Sequence, residues 1–196
     1  MRIILSTILL FALALTISAQ RDDPSINLME TEDTWRKEAF TFPKPFAPEV
    51  NFDGVADVRF TMGWEDKTSP NFWSYAFAWK IAEKLSDEDL EKYLQFYFDG
   101  LMKVVNRDKT ITITPTLALF SALNESELNK DYVGKIRLYD AFFTQEMLTL
   151  RVNGEYRYCK EEKKHLYLFR LTPQPTESPV WAHLNKTVFN DKICPH

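Results

Sequence analysis

Phe72-Trp73-Ser74-Tyr75-Ala76-Phe77-Ala78-Trp79-Lys80-Ile81 sets Trp73, Tyr75, Phe77, Trp79 and Ile81 at every second position, with Ser74, Ala76, Ala78 and Lys80 between them. Successive side chains of a strand point to opposite faces, so this spacing predicts a strand over 72–81 with one aromatic face and one nearly bare face. The bare face lets another segment approach the backbone closely.

The flanking sequence builds a fold class around that strand. Upstream, Val58, Phe60 and Met62 alternate with Asp57, Arg59 and Thr61 and predict a strand over 55–62. Downstream, Ser86 followed by Asp87, Glu88 and Asp89 marks a helix start, because a serine caps free amides and carboxylates suit the positive end of the helix dipole. Leu90, Leu94, Tyr97, Leu101 and Val105 recur at helical spacing, with Tyr93, Phe98 and Met102 widening the stripe, so the helix is expected to reach about Val105.

Beyond the helix, Thr110–Thr114 alternates threonine with Ile111 and Ile113, then Pro115 interrupts, and a strand is expected to resume through Leu117 and Leu119. Further strands are predicted at 132–140, 147–152, 155–159 and 165–171, with Asn153-Gly154 read as a tight hairpin turn and Lys160–Lys164 as an exposed connection. Together these elements predict an α+β core over residues 50–175, a curved antiparallel sheet of about six or seven strands packed on one long helix. In element order alone the pattern resembles cystatin-like, NTF2-like and hot-dog-like folds.

The ends of the chain read differently. Met1 and Arg2 precede an apolar run to Ile17, and Ser18-Ala19 precede Gln20, the features of a signal peptide cleaved after residue 19. About 15 apolar residues at roughly 1.5 Å each fall short of the roughly 30 Å needed to span a bilayer, and no cysteine stands ready for lipid attachment. The mature chain is therefore expected to be periplasmic or extracellular and not membrane-inserted. Residues 20–49, with Pro43, Pro45 and Pro48 around Phe42 and Phe46, read as an extended arm. Residues 176–196 read as a tail, which a Cys159–Cys194 disulfide would tie back in an oxidising compartment.

Losing Arg2 with the leader leaves 23 basic against 28 acidic residues, a net of −5, which argues against a nucleic-acid partner. Five glycines, none closely spaced, provide no phosphate-cradling loop, and His165, His183 and His196 lack zinc spacing, so neither cofactor nor metal is expected. Asp53, Asp57, Glu65 and Asp66 are the candidates for paired-carboxylate hydrolysis. Arg59, Lys135, Arg137, Arg151 and Arg157 are candidates for one cationic sheet face, and Trp181 and Phe189 for anchors on a protein partner.

The aromatic strand face carries the leading expectation. With Tyr97 and Phe98 of the helix, residues Trp73, Tyr75, Phe77 and Trp79 either fill the core or line a pocket for a small amphiphilic or aromatic molecule or a peptide.

Overall fold

The computed structural model describes residue 23 and residues 25–194, so the leader read at 1–19 and the terminal His196 lie outside the described residues. Strand β1 (Met29–Glu30) is followed by β2 (Arg36–Thr41), β3 (Gly54–Phe60) and β4 (Tyr75–Ile81). Helix α1 (Asp87–Val105) then leads into β5 (Leu117–Glu125), β6 (Asn129–Tyr139), β7 (Met147–Cys159) and β8 (Lys164–Thr172). A short α2 (Val180–Leu184), β9 (Val188–Phe189) and one 3-10 turn close the described chain.

Seven of these strands form one antiparallel sheet in the order β2-β3-β4-β8-β7-β6-β5, while β1 pairs with β9 in a separate small sheet. The fold is α+β, with one main helix. Ser86 caps α1 as its sequence requires, its hydroxyl accepting from the Asp89 amide at 3.1 Å, and Leu90, Leu94, Phe98 and Met102 form its buried stripe.

Register explains which residues share a face. Phe77 stands opposite Val58 and Phe169, and Trp79 opposite Ala56 and Tyr167, giving an aromatic layer under α1. Ala76 and Ala78 stand opposite Arg59 and Asp57 on the other face. That bare face is covered by the chain's own ends: Ile26, Leu28, Met29 and Trp35 from the N-terminal side, Trp181, Leu184 and Phe189 from the tail, packed on Ala76, Ala78, Leu166 and Leu168. Small residues there let a third layer settle directly on the strands.

Several sequence expectations are corrected. Residues 147–159 form one continuous strand, and Asn153-Gly154 is no turn: Asn153 pairs with Val133 and Arg170, Gly154 with Tyr132 and Phe169. Gly154 is there for space, since an added Cβ would press to 3.0 Å from Tyr132 and 3.2 Å from the Phe169 ring. The alternating 110–114 stretch is not a strand, because β6 ends at Tyr139, two residues past the Leu117–Arg137 pair, and leaves nothing upstream to pair with. Within the expected arm, Arg36–Thr41 is an edge strand paired with β3, and the proline segment after it lies on α1, where a Cβ at Gly100 would collide with the Phe46 carbonyl.

The five basic candidates lie on the sheet face away from α1, where Arg59 is bound to Asp57 and Arg157 to Glu155, Arg151 donates to the Pro173 carbonyl at 2.8 Å, and Lys135 and Arg137 are exposed. Trp181 and Phe189 are buried in the third layer and cannot serve as exposed anchors.

Two links hold that layer down. Cys159 and Cys194 are joined by a disulfide with a Cα–Cα distance of 5.5 Å and a sequence separation of 35. Closing such a loop stabilises the fold by roughly 3–4 kcal/mol in the chain-entropy model. At the other end, fully buried Asp57 accepts from the Leu28 amide at 2.9 Å and from Arg59 Nε at 2.7 Å, and Arg59 also reaches Asn27 at 2.6 Å. Asp57→Ala would strand a mostly buried guanidinium and a buried amide, and it is expected to cost about 3–5 kcal/mol by denaturant unfolding; a loss below about 1 kcal/mol would contradict this role.

Candidate functional site

The backbone of helix α1 comes nearest β5 and β6, and on the β2–β3–β4 side its Tyr97, Leu101 and Val105 face the sheet across a gap that other segments help to close. The segment around Phe46 and Phe52 fills part of that space: Phe46 meets Tyr97 edge to face at 5.2 Å, and Phe52 meets Tyr93 at 4.7 Å. Two loops close the far end, where Trp64 contacts Trp73 at 6.3 Å and Phe143 at 5.3 Å, and Phe142 contacts Trp73 at 5.9 Å.

Between these parts a cavity of about 470 Å³ remains. Its wall on the sheet is Val58, Phe60, Tyr75, Phe77 and Trp79, and its wall on the helix is Tyr97, Leu101 and Val105. Five of the six residues singled out from the sequence, Trp73, Tyr75, Phe77, Trp79 and Tyr97, therefore line one space. The sixth, Phe98, points into the packed core of α1 and does not line it.

The lining also includes residues that periodicity did not flag. Arg36 and Glu38 of β2, Lys44 and Glu65 bring charge to a space otherwise walled largely by rings and aliphatic groups. The Arg36 guanidinium lies 4.7 Å over the Phe60 ring and 5.1 Å over Trp64, and it pairs with Glu38 at 3.2 Å and Glu65 at 3.9 Å. Lys44 Nζ sits 4.1 Å over Phe40. A cation over an aromatic face is held by the ring quadrupole, which fixes it beside the rings.

The hydrolytic candidates are dispersed. Asp57 lies on the opposite sheet face, bound to Arg59, and Asp53 pairs with Lys164 at 2.8 Å. Asp66 caps its own turn through Thr68, and Glu65 alone borders the cavity.

Trp73 has the least ordinary position. The aromatic alternation extends the strand to residue 72, but pairing ends at the Phe60–Tyr75 pair, and Trp73 turns back with φ +53°. Its amide donates to the Trp64 carbonyl at 2.8 Å, and its ring still reaches the aromatic side, 2% exposed.

Burial holds the Tyr75 phenol well above its ordinary range, with the nearby Tyr97 adding to the effect. Burial likewise raises Tyr97, with Glu38 as the second cause. Both phenols are neutral in folded and unfolded chains below about pH 10, and above it the unfolded chain ionises first, so stability falls as pH rises. The Tyr75→Phe/Tyr97→Phe double variant is expected to remove that part of the alkaline loss, and the two phenolates should absorb only as the fold is lost. Ionisation of either phenol in the folded protein near its ordinary value of about 10 would contradict the burial described.

Comparison with known proteins returns no match to a protein-family model, a curated protein or a solved structure. The likeness in element order to cystatin-like, NTF2-like and hot-dog-like folds gains no support from solved structures.

Proposed function

We propose that this chain is an exported binding module that takes a small amphiphilic or aromatic molecule into the space between β2–β4 and α1. The observation that carries the reading is the cavity of about 470 Å³ walled by Tyr75, Phe77, Trp79 and Tyr97 and flanked by Arg36, Glu38, Lys44 and Glu65. Small-molecule sites are commonly mostly apolar clefts of about 300–1,000 Å³ with a few placed polar groups.

Charge and burial divide the work. Rings and aliphatic side chains offer area to an apolar body at roughly 25 cal/mol per Å² buried, and the Arg36–Glu38–Glu65 cluster can meet a polar end. Export is supported by the leader-like residues 1–19 and by the disulfide, which is characteristic of oxidising compartments. No described helix is long and apolar enough to cross a membrane.

Native mass spectrometry of the mature protein, purified from its own host without detergent, tests this directly. The native mass is expected to exceed the denatured mass by one small molecule, and Val58→Phe, which places a ring inside the cavity, should abolish the excess while the protein stays folded. Equal native and denatured masses, together with no uptake of aromatic probes, would refute the reading.

A further inference from the structure

Two phenols border the cavity from opposite walls, Tyr75 from strand β4 and Tyr97 from helix α1. Tyr75 is 5% exposed, stands opposite Phe60 and Leu171 in the sheet, and stacks on the Phe60 ring at 5.6 Å. Tyr97 is held edge to face by Phe46 at 5.2 Å and Phe98 at 5.6 Å. Neither hydroxyl has a hydrogen-bond partner among the described residues. Neither is sealed in, because the described side-chain polar atoms that are both closed off and unpaired are Trp73 Nε1 and Asn106 Oδ1. Each phenol oxygen therefore keeps open surface, and for Tyr75, buried on every other side, that surface belongs to the cavity.

Buried polar groups are nearly always paired, and a phenol can both donate and accept. We infer that the cavity selects ligands carrying an uncharged oxygen, a ketone, ester or hydroxyl, on an apolar body, and that the Tyr75 and Tyr97 hydroxyls hold that oxygen between them. The inference rests on the binding reading above and adds the chemistry of the ligand and the residues that recognise it. A carbonyl accepts from both phenols, and a hydroxyl accepts from one and donates to the other. A hydrocarbon of the same shape would close the cavity over two unpaired hydroxyls, which is how a polar site rejects an apolar analogue.

The oxygen is uncharged because the surroundings favour neither sign. At the cavity's edge Arg36 and Lys44 stand with Glu38 and Glu65, so the formal charges cancel. Beside the phenols, burial favours the neutral form of both, and a ligand carboxylate or ammonium placed there would meet the same loss of hydration.

Four probes of one skeleton separate the outcomes: diphenylmethane, benzophenone, diphenylacetate and diphenylmethylamine, with the full mature protein titrated into each by calorimetry. Benzophenone is expected to bind about tenfold more tightly than diphenylmethane, the equivalent of about 1.4 kcal/mol. The acid and the amine should gain nothing over diphenylmethane. Tyr75→Phe and Tyr97→Phe should each cut the benzophenone advantage, and the double variant should abolish it, with diphenylmethane affinity kept. Because the hydroxyls bond nothing in the protein, the same variants should melt no lower than wild type at neutral pH, a result that a structural role for the hydroxyls would not give. Should a variant fail to fold, the wild-type comparison of the four probes decides.

Equal affinities for benzophenone and diphenylmethane would overturn the inference and leave the binding reading standing. So would tighter binding of the acid or the amine than of benzophenone, in favour of a charged ligand, or a benzophenone advantage that survives in the double variant. Failure of all four to bind, with no small molecule retained from the host, would remove both.

Discussion

A 19-residue helix about 10 Å across lies on a seven-stranded sheet whose strands, spaced about 4.8 Å apart, span roughly 29 Å. Such a helix is much narrower than the face beneath it, and its backbone comes nearest β5 and β6. Every other layer responds to that shortfall. The Phe42–Phe52 segment and the loops carrying Trp64 and Phe142–Phe143 extend the cover toward β2, and the cavity lies among them.

The opposite face is closed differently. Ala76 and Ala78 leave room close to the backbone, and the two ends of the chain occupy it, joined by β1–β9 pairing and held by the Asp57–Arg59 pair and the disulfide. The same strand β4 thus explains both halves of the molecule: its small face packs flush, and its large face cannot be fully matched by one helix. Bulky rings on a wide sheet leave gaps unless opposing side chains interdigitate with them.

Features governed by local periodicity were legible in the sequence. The β4 alternation, the Ser86 cap, the α1 stripe and the isolated cysteine pair each carry their signal within a short span or a simple count. Features decided by partners were not. Asn153-Gly154 matches a hairpin turn locally, but Tyr132 and Phe169 on neighbouring strands are what demand the glycine. Arg36–Thr41 lacks an apolar alternation because it is an edge strand with exposed ends, and the tail elements owe their order to a surface the sequence does not display. Whether the β4 rings border a cavity depends on volumes set by six other segments, so no pattern within residues 72–81 distinguishes the two outcomes. That the Trp73 indole N–H has no acceptor among the described residues is likewise a property of the assembled packing.

The central claim is that the space under β2–β4 is open and apolar, and the most direct measurement is a crystal structure of the mature protein under xenon pressure. Apolar cavities of this kind take up xenon without polar contacts. The account predicts either xenon density between Tyr75, Phe77 and Tyr97, or in its place an ordered small molecule carried from the host. A cavity filled by the protein's own side chains, with neither xenon nor ligand between those rings, would contradict it.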